Sequence, residues 1–319
     1  MQDTVSETQA RLTAEEGDVA PCGASLGPLG PALHDEEGAH VPAGLPPVVD
    51  AHVHLFPERM FAAMWRWFDQ HGWPIRYKLQ SEQIVEFMRQ RGVERFVALH
   101  YAHKPGIARS MNEAMSALVQ HHPQVIGTAT VMPGEPEAAA ILEAGFQAGL
   151  RGAKLHCHVQ GLAVDDDSMH ELYEVAVRHD RPMVVHAGRE PRSAGYRVDP
   201  HTICSADRTE RVLRAHPRLR LCIPHLGADE LEAYESLLER YDNLWLDTTM
   251  MLAEYFPFRP NARMLTVRPE RILYGTDFPI LPYAWDRELR KLEGYGLRDE
   301  TLAGILGANA LRLFAPDSG

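Results

Sequence analysis

Apolar runs of strand length recur eight times between residues 47 and 277 of this 319-residue chain. They are Pro47–His54, Arg95–His100, Val125–Val131, Gly152–Cys157, Pro182–His186, Arg220–His225, Leu244–Asp247 and Arg271–Asp277. Most are apolar almost throughout, which is typical of parallel strands covered on both faces. Amphipathic stretches of helical length separate them, among them Ser81–Arg91, Ile107–His121, Ser168–His179, Ala228–Tyr241 and Trp285–Tyr295. Eight strands alternating with helices predict an α/β fold, the (β/α)8 TIM barrel.

The first of these runs ends with two histidines, His52 and His54, that are two residues apart. Side chains alternate between faces along a strand, so both imidazoles would project to one side and could bind one metal ion. A chain with 17 histidines contains such pairs by chance. Three later runs strengthen the signal, because His186, His225 and Asp277 each end a run and precede Gly or Pro by two residues. In a barrel the carboxyl ends of all strands meet at one mouth, so these residues could act together there. An open sheet gives no reason for metal-ligand residue types at the ends of so many strands.

The first 46 residues differ from the rest of the chain. They hold Gly-Pro clusters and no periodic apolar pattern, so we interpret residues 1–46 as a disordered or loosely attached extension and residues 47–316 as one barrel domain. The extension has eight acidic residues and one basic residue, a net charge of −7 out of −12 for the chain. The barrel itself is therefore only mildly acidic, which argues against a nucleic-acid partner.

Neither a membrane-spanning stretch nor a secretory signal is apparent, so a cytoplasmic enzyme without a membrane partner is expected. The four cysteines match no zinc-finger spacing. Nitrogen and oxygen atoms would therefore hold any metal. A small molecule is the expected partner, and the sequence leaves a homo-oligomer open.

Several motifs together resemble the amidohydrolase superfamily, and specifically its amidohydrolase-related branch. They are Asp50-x-His52-x-His54, His186-Ala187-Gly188, His225-Leu226-Gly227, Gly275-Thr276-Asp277-Phe278-Pro279 and the closing Gly307–Phe314. The resemblance covers the chain from about Pro47 to Phe314 and implies a metal-dependent barrel enzyme. That branch includes hydrolases of lactones, amides and C–C bonds as well as nonoxidative decarboxylases.

The resemblance also implies a ligand set. His52, His54, His186 and Asp277 would hold a divalent ion, with Zn²⁺ expected and Mn²⁺ or Fe²⁺ as alternatives. Lys154 resembles the lysine that is carboxylated and bridges two metals in ureases and related members. Many members of the branch hold one ion, and there Lys154 would bind the substrate's carboxylate or pair with a neighbouring acid. We favour one ion over two.

Two reactions remain open, and hydrolysis is the favoured one. In a hydrolase of a small anionic lactone, amide or related compound, the ion would activate a water, Asp277 would accept its proton, and His225 would polarise the carbonyl. In a decarboxylase the ion would chelate the substrate, and polar groups would protonate the carbon that loses CO₂. A barrel that has lost catalysis is a third, less favoured reading, because a scaffold needs no convergent polar groups.

Residues in the predicted loops suggest a small, partly aromatic or unsaturated anion as substrate. Aromatic and basic side chains follow strand one over residues 56–78, with Trp65 among them, and Tyr101 follows strand two. Trp65 fits a helix face packed on the barrel equally well. Arg189, three residues beyond a proposed ligand, is expected to pair with the substrate's carboxylate, and His156 is expected to contact the substrate.

Overall fold

The computed structural model describes residues 32–314, which contain eight parallel β-strands. The strands are β1 Val49–His54, β2 Arg95–Leu99, β3 Val125–Gly127, β4 Ala153–His156, β5 Met183–His186, β6 Leu221–Ile223, β7 Leu244–Asp247 and β8 Ile272–Leu273. Hydrogen bonds pair β1 to β3 in one sheet and β4 to β8 in a second, both in chain order. All eight predicted strands are confirmed, although several end earlier than predicted.

The two sheets are joined at both edges. Between β3 and β4, Ala129 forms a parallel bridge with Ala153, and between β8 and β1, Val53 forms one with Phe278. These bridges continue the order from β1 to β8 and back to β1, as a (β/α)8 barrel requires. The predicted fold is therefore confirmed.

Helices cover the outside of the strands. They are α1 Glu58–His71, α2 Ser81–Gln90, α3 Ala108–His121, α4 Ala138–Gln147, α5 Cys157–Gln160, α6 Asp167–Arg178, α7 Pro200–Ile203, α8 Ala206–Ala215, α9 Leu231–Arg240, α10 Arg287–Glu293, α11 Asp299–Ala303 and α12 Asn309–Leu313. Side-chain caps fix some of their starts, as where Asp166 accepts a hydrogen bond from the backbone N–H of Ser168 before α6. Within residues 32–314, no helix is both long and apolar enough to cross a bilayer.

Beyond β6 and β8 the chain enters the left-handed region at two predicted site residues. The φ angle is 59° at His225 and 74° at Asp277, a conformation that is uncommon for residues other than glycine. Next to His225, a Cβ on Gly227 would lie 1.9 Å from the ring of Tyr234, so only glycine fits this close approach. The side chains of His225 and Asp277 lie beyond the strands, at the mouth of the barrel.

The barrel interior below the mouth is largely apolar, although the buried Lys154 also lies there. Val184 shares a strand face with His186 and belongs to a buried cluster with Val97, Cys222 and Leu273. Leu313 and Phe314, at the end of α12 and just beyond it, join the same cluster. A larger buried cluster lies between the strands and the helices. A packed apolar layer therefore lies beneath the polar residues at the mouth.

Part of the predicted loose extension is attached to the barrel. The carboxylate of Glu37 pairs with Arg76 at 3.0 Å and with Arg91 at 3.1 Å, and Asp35 pairs with Arg287 at 2.9 Å. Gly38 accepts a hydrogen bond from the indole N–H of Trp285. Ion pairs to distant arginines thus contact residues 35–38 of the predicted extension, and a search for apolar periodicity does not detect such contacts. Residues 1–31 lie outside the described part of the chain.

We expect deletion of residues 1–31 to leave the melting temperature unchanged and deletion of residues 1–45 to lower it by about 5 °C. Only the longer deletion removes the carboxylates that bind Arg76, Arg91 and Arg287. Thermal unfolding followed by circular dichroism measures the difference. Equal melting temperatures for the two truncated proteins would show that residues 35–38 add no stability.

Candidate active site

Three predicted metal ligands converge at the mouth of the barrel. Oδ1 of Asp277 lies 3.2 Å from Nε2 of His52 and 3.0 Å from Nε2 of His54. All three side chains are buried, and they form one of the groups of residues that could hold a metal ion. The alternation of side chains along β1 thus places both imidazoles on one side, as predicted.

The hydrogen bonds around these rings indicate where the protons lie. Nδ1 of His52 donates to Asp247 at 2.8 Å, and Nδ1 of His54 donates to the carbonyl of Leu99 at 3.3 Å. Both partners only accept, so each Nε2 keeps a lone pair that faces Asp277. Two lone pairs beside a carboxylate oxygen repel each other unless a proton or a cation lies between them. Two imidazole nitrogens and one carboxylate oxygen therefore fit a divalent cation.

Charge also favours an ionised carboxylate at this place. Burial alone would raise the pKa of Asp277, but the contact with His54 and the electrostatic interaction with the His54 and His52 rings lower it below its usual range. Burial and the nearby charge of Lys154 lower the pKa of His52 to about 4. At neutral pH the site thus offers a carboxylate and a neutral imidazole, the protonation states that metal binding requires.

Asp247 orients the ring of His52, and it is not among the site residues predicted from the sequence. Its Oδ2 accepts from His52, and its Oδ1 accepts from the backbone N–H of His225 at 3.0 Å. Burial raises the pKa of Asp247, but the charge and hydrogen bond of His52 outweigh this and lower it to about 2. A carboxylate behind a ligating histidine fixes the tautomer and the orientation of its ring. The sequence did contain one indication of this role, because β7 also ends in a residue type that can bind metals.

His186, the predicted fourth ligand, lies beside this cluster. Its Nδ1 is 3.1 Å from Nε2 of His225, whose own Nδ1 donates to the carbonyl of Thr249 at 3.0 Å. Burial lowers the pKa of both histidines, so both are neutral near pH 7. His186 has two acceptors within reach of its single N–H: the carbonyl of Glu190, 3.3 Å from its Nε2, and Nε2 of His225. Its role as a metal ligand stays a prediction.

Two further imidazoles border this pair. The ring of His156 stacks on His186 with centroids 4.1 Å apart, and the Nε2 of His158 donates to the carbonyl of Gly188 at 2.7 Å. Nδ1 of His156 and Nδ1 of His158 are buried and have no hydrogen-bond partner among the described residues. Both residues line the cavity described next. His158 is not among the predicted residues, although it continues the two-residue spacing of Lys154 and His156.

These side chains line one end of a cavity of about 780 Å³. Tyr101, a predicted substrate contact, also lines it and lies edge-on to His54 and His156 at centroid distances of 5.7 and 4.8 Å. The inner wall of the cavity therefore consists largely of flat rings.

Trp65 is a predicted substrate contact that the structure places elsewhere. Its ring is 8% exposed, stacks on Phe61 at 5.1 Å, and does not line the cavity. Each residue of α1 is rotated by about 100° from the one before, so Phe61 and Trp65 face the core while Trp67 faces the cavity. The sequence indicated aromatic residues at the mouth but not the rotation of the helix that carries them.

Arg189 is also not where the substrate would need it. Its guanidinium makes two hydrogen bonds to Asp229, at 3.1 and 2.8 Å, and the residue does not line the cavity. This charge-assisted pair with the loop after β6 holds the side chain away from the mouth. The basic residues that do line the cavity include Arg59, Lys104 and Arg197.

A comparison with protein families decides what kind of protein this is. Residues 49–315 match the model of the amidohydrolase family. The chain belongs to that family. A comparison of this amidohydrolase with curated proteins finds no significant match.

Solved structures similar to this amidohydrolase share its barrel. An uncharacterized TIM-barrel protein from Bordetella bronchiseptica is 19% identical, with a TM-score of 0.66 over 84% of this chain and 98% of its own. A 5-carboxyvanillate decarboxylase from Novosphingobium aromaticivorans, complexed with manganese and a nitrobenzoic acid, is 16% identical, with a TM-score of 0.64 over 89% and 99%. A 2,6-dihydroxybenzoate decarboxylase from Rhizobium is 16% identical, with a TM-score of 0.61 over 85% and 99%.

Lys154 lies next to the ligand cluster, close to His52. Its side chain is fully buried, its Nζ is 3.5 Å from Nε2 of His52, and no ion pair joins it to a described carboxylate. Burial lowers its pKa to about 8, while the charges of Asp247 and Asp277 oppose this shift. Lys154 does not line the cavity. The geometry thus gives no support to a pairing with an acid or to a direct contact with the substrate.

Proposed function

We propose that this protein is a metal-dependent nonoxidative decarboxylase of an aromatic or unsaturated carboxylic acid. The observation that carries the proposal is the convergence of His52, His54 and Asp277 at the end of a cavity whose inner wall is built of flat rings, including Tyr101 and His156. A planar acid can lie against these rings with its carboxylate directed at the ligand cluster. Decarboxylases with hydroxylated benzoate-type substrates stand among the solved structures of the same fold, which favours this reaction over the hydrolysis expected from the sequence.

A divalent ion, with His52, His54 and Asp277 as its proposed protein ligands, would supply positive charge that holds an anionic substrate and stabilises negative charge as the C–C bond breaks. His186 stands close enough to join this set if its ring turns away from His225. We propose one ion per chain. Both zinc and manganese suit the mixed nitrogen and oxygen donors.

The residues of the chain must hold the substrate in place and provide one proton. During the reaction the bond to the carboxylate breaks, CO₂ leaves, and the electron pair left on carbon takes a proton. Asp277 and His225 both line the cavity, and we propose that one of them takes up a proton from solvent and passes it to that carbon. The unpartnered Nδ1 atoms of His156 and His158 would bind polar substituents of the substrate and so orient it.

The test is turnover in D₂O with protein loaded with Mn²⁺ or Zn²⁺ and a panel of hydroxylated benzoates. Decarboxylation would release one CO₂ per acid consumed and leave one deuterium on the carbon that carried the carboxylate. The same protein would be assayed on small lactones and amides. Lactone or amide hydrolysis without any CO₂ release from the acids would overturn the proposal and restore the hydrolase.

For Lys154 we expect the Lys154→Met variant to keep one ion per chain and to bind it about tenfold more tightly. The substitution removes a positive charge that lies close to His52. Metal analysis and competition with a chelator measure both quantities, and Lys291→Met, which changes an exposed lysine paired with Glu254, is the control. Two ions in the native protein that fall to one or none in the variant would instead identify a carboxylated bridge.

A further inference from the structure

The cavity is much larger than its catalytic end. Its volume of about 780 Å³ falls among cavities of about 300–1,000 Å³ that enclose drug-sized ligands. A single-ring acid placed at the inner rings would leave much of this space unused. The cavity therefore has room for a further part of the substrate, beyond the ring that carries the carboxylate.

Beyond the inner end, the cavity wall has a large apolar part beside basic residues such as Arg59, Lys104 and Arg197. We call this part the outer chamber and define it by Met60, Met64, Trp67, Trp73, Met251 and Phe256. Met60, Met64 and Trp67 are only half-buried, unlike the histidines of the inner end, so this part lies nearer to solvent. The indole N–H of Trp73 already donates to the carbonyl of Ile280 at 3.0 Å, which leaves the faces of its ring for apolar contacts.

The chemistry of these side chains points to a variable apolar ligand. Methionine side chains are flexible and polarizable, so they adapt to irregular apolar shapes, and the tryptophan rings add large flat surfaces. Half-buried apolar surface of this extent in a cavity gains free energy when a ligand removes it from water. The outer chamber is continuous with the ligand cluster, because one cavity contains Asp277 and Met64.

We propose that the substrate is an amphipathic carboxylic acid whose large apolar substituent, a second ring or a chain of several carbons, fills the outer chamber. This inference rests on the proposed function for the position of the carboxylate, which lies at the inner end beside Asp277. The substituent then extends along α1 towards solvent.

The chain offers a matched pair of variants on α1. Ala63 lines the cavity, whereas its neighbour Ala62 is also exposed and does not line it. Ala63→Phe places a ring in the outer chamber, and Ala62→Phe adds the same ring outside it. Neither residue belongs to the proposed catalytic machinery.

Binding of benzoate, 4-butylbenzoate and 4-octylbenzoate to the metal-loaded protein tests the inference by calorimetry, without any need for turnover. We expect affinity to rise by up to about fourfold per methylene until the chamber is full. Ala63→Phe should weaken 4-octylbenzoate at least tenfold and leave benzoate unchanged, while Ala62→Phe should change neither.

Equal affinities for all three acids, or equal losses in both variants, would overturn the inference. If the alkylbenzyl alcohol with the same chain bound as tightly as the alkylbenzoate, the ligand would not need a carboxylate, and that part of the inference would be overturned. This experiment measures binding, so its result does not depend on the proposed reaction. An enzyme that decarboxylates only single-ring acids would support the proposed function and contradict this inference.

Discussion

Replacing His52 and His54 together by alanine is expected to abolish metal binding and to reduce turnover on the order of a thousandfold or more. The double substitution removes both imidazole nitrogens that face Asp277 and leaves one carboxylate oxygen of the converging set. A single carboxylate cannot hold a transition metal tightly. Metal content per chain, measured by mass spectrometry, and turnover of the same preparation test both parts.

The matched control is the double variant His122→Ala and His179→Ala. These histidines lie near the surface and pair with Glu82 and Glu143 at 3.0 and 2.8 Å. Metal content and turnover should stay at the native level there. Full metal occupancy in the variant without His52 and His54 would show that the ion binds elsewhere in the protein.

The second large effect is expected for Asp277→Asn, which should retain most of the metal and lose turnover by about 10²–10⁴-fold. The amide keeps a carbonyl oxygen as a ligand but can no longer exchange a proton. The contacts of Asp277 with His54 and His52 hold its pKa below the usual range, so the native residue is ionised and must take up a proton before it can pass one on. Metal analysis and turnover at saturating metal separate the two roles.

Asp247→Asn is the informative comparison for Asp277→Asn. Asp247 contacts the far nitrogen of His52 and not the cavity, so its loss should weaken metal binding by about 10–100-fold. Added metal should then restore much of the turnover of Asp247→Asn and none of that of Asp277→Asn. Restoration of both variants would mean that Asp277 is only a ligand.

Much of the site followed from strand periodicity. The number of strands, their parallel arrangement and the position of His52, His54 and Asp277 at strand ends depend on local patterns that a single sequence displays. Alternation of side chains places two histidines on one face, and the barrel brings distant strand ends together. The convergence of these three residues was therefore predictable.

The partners of these residues were not predictable. The proton on His52 is fixed by Asp247, which is 195 residues away, and no local pattern pairs the two. His158 belongs to the site because α5 turns its ring back towards Gly188. Ring orientation and tautomer depend on hydrogen bonds between strands, so only the assembled barrel decides them.

What the sequence by itself determined is the barrel and the residue types at its mouth, because periodicity and strand ends are local properties of the chain. The tertiary structure decided which of those residues face the cavity: α1 turns Trp67 inwards and Trp65 into the core, and Asp229 holds Arg189 away. It also attached residues 35–38 through ion pairs to distant arginines. Helix rotation and the choice of ion-pair partner are set by contacts far apart in sequence, which is the physical reason that local patterns could not give them.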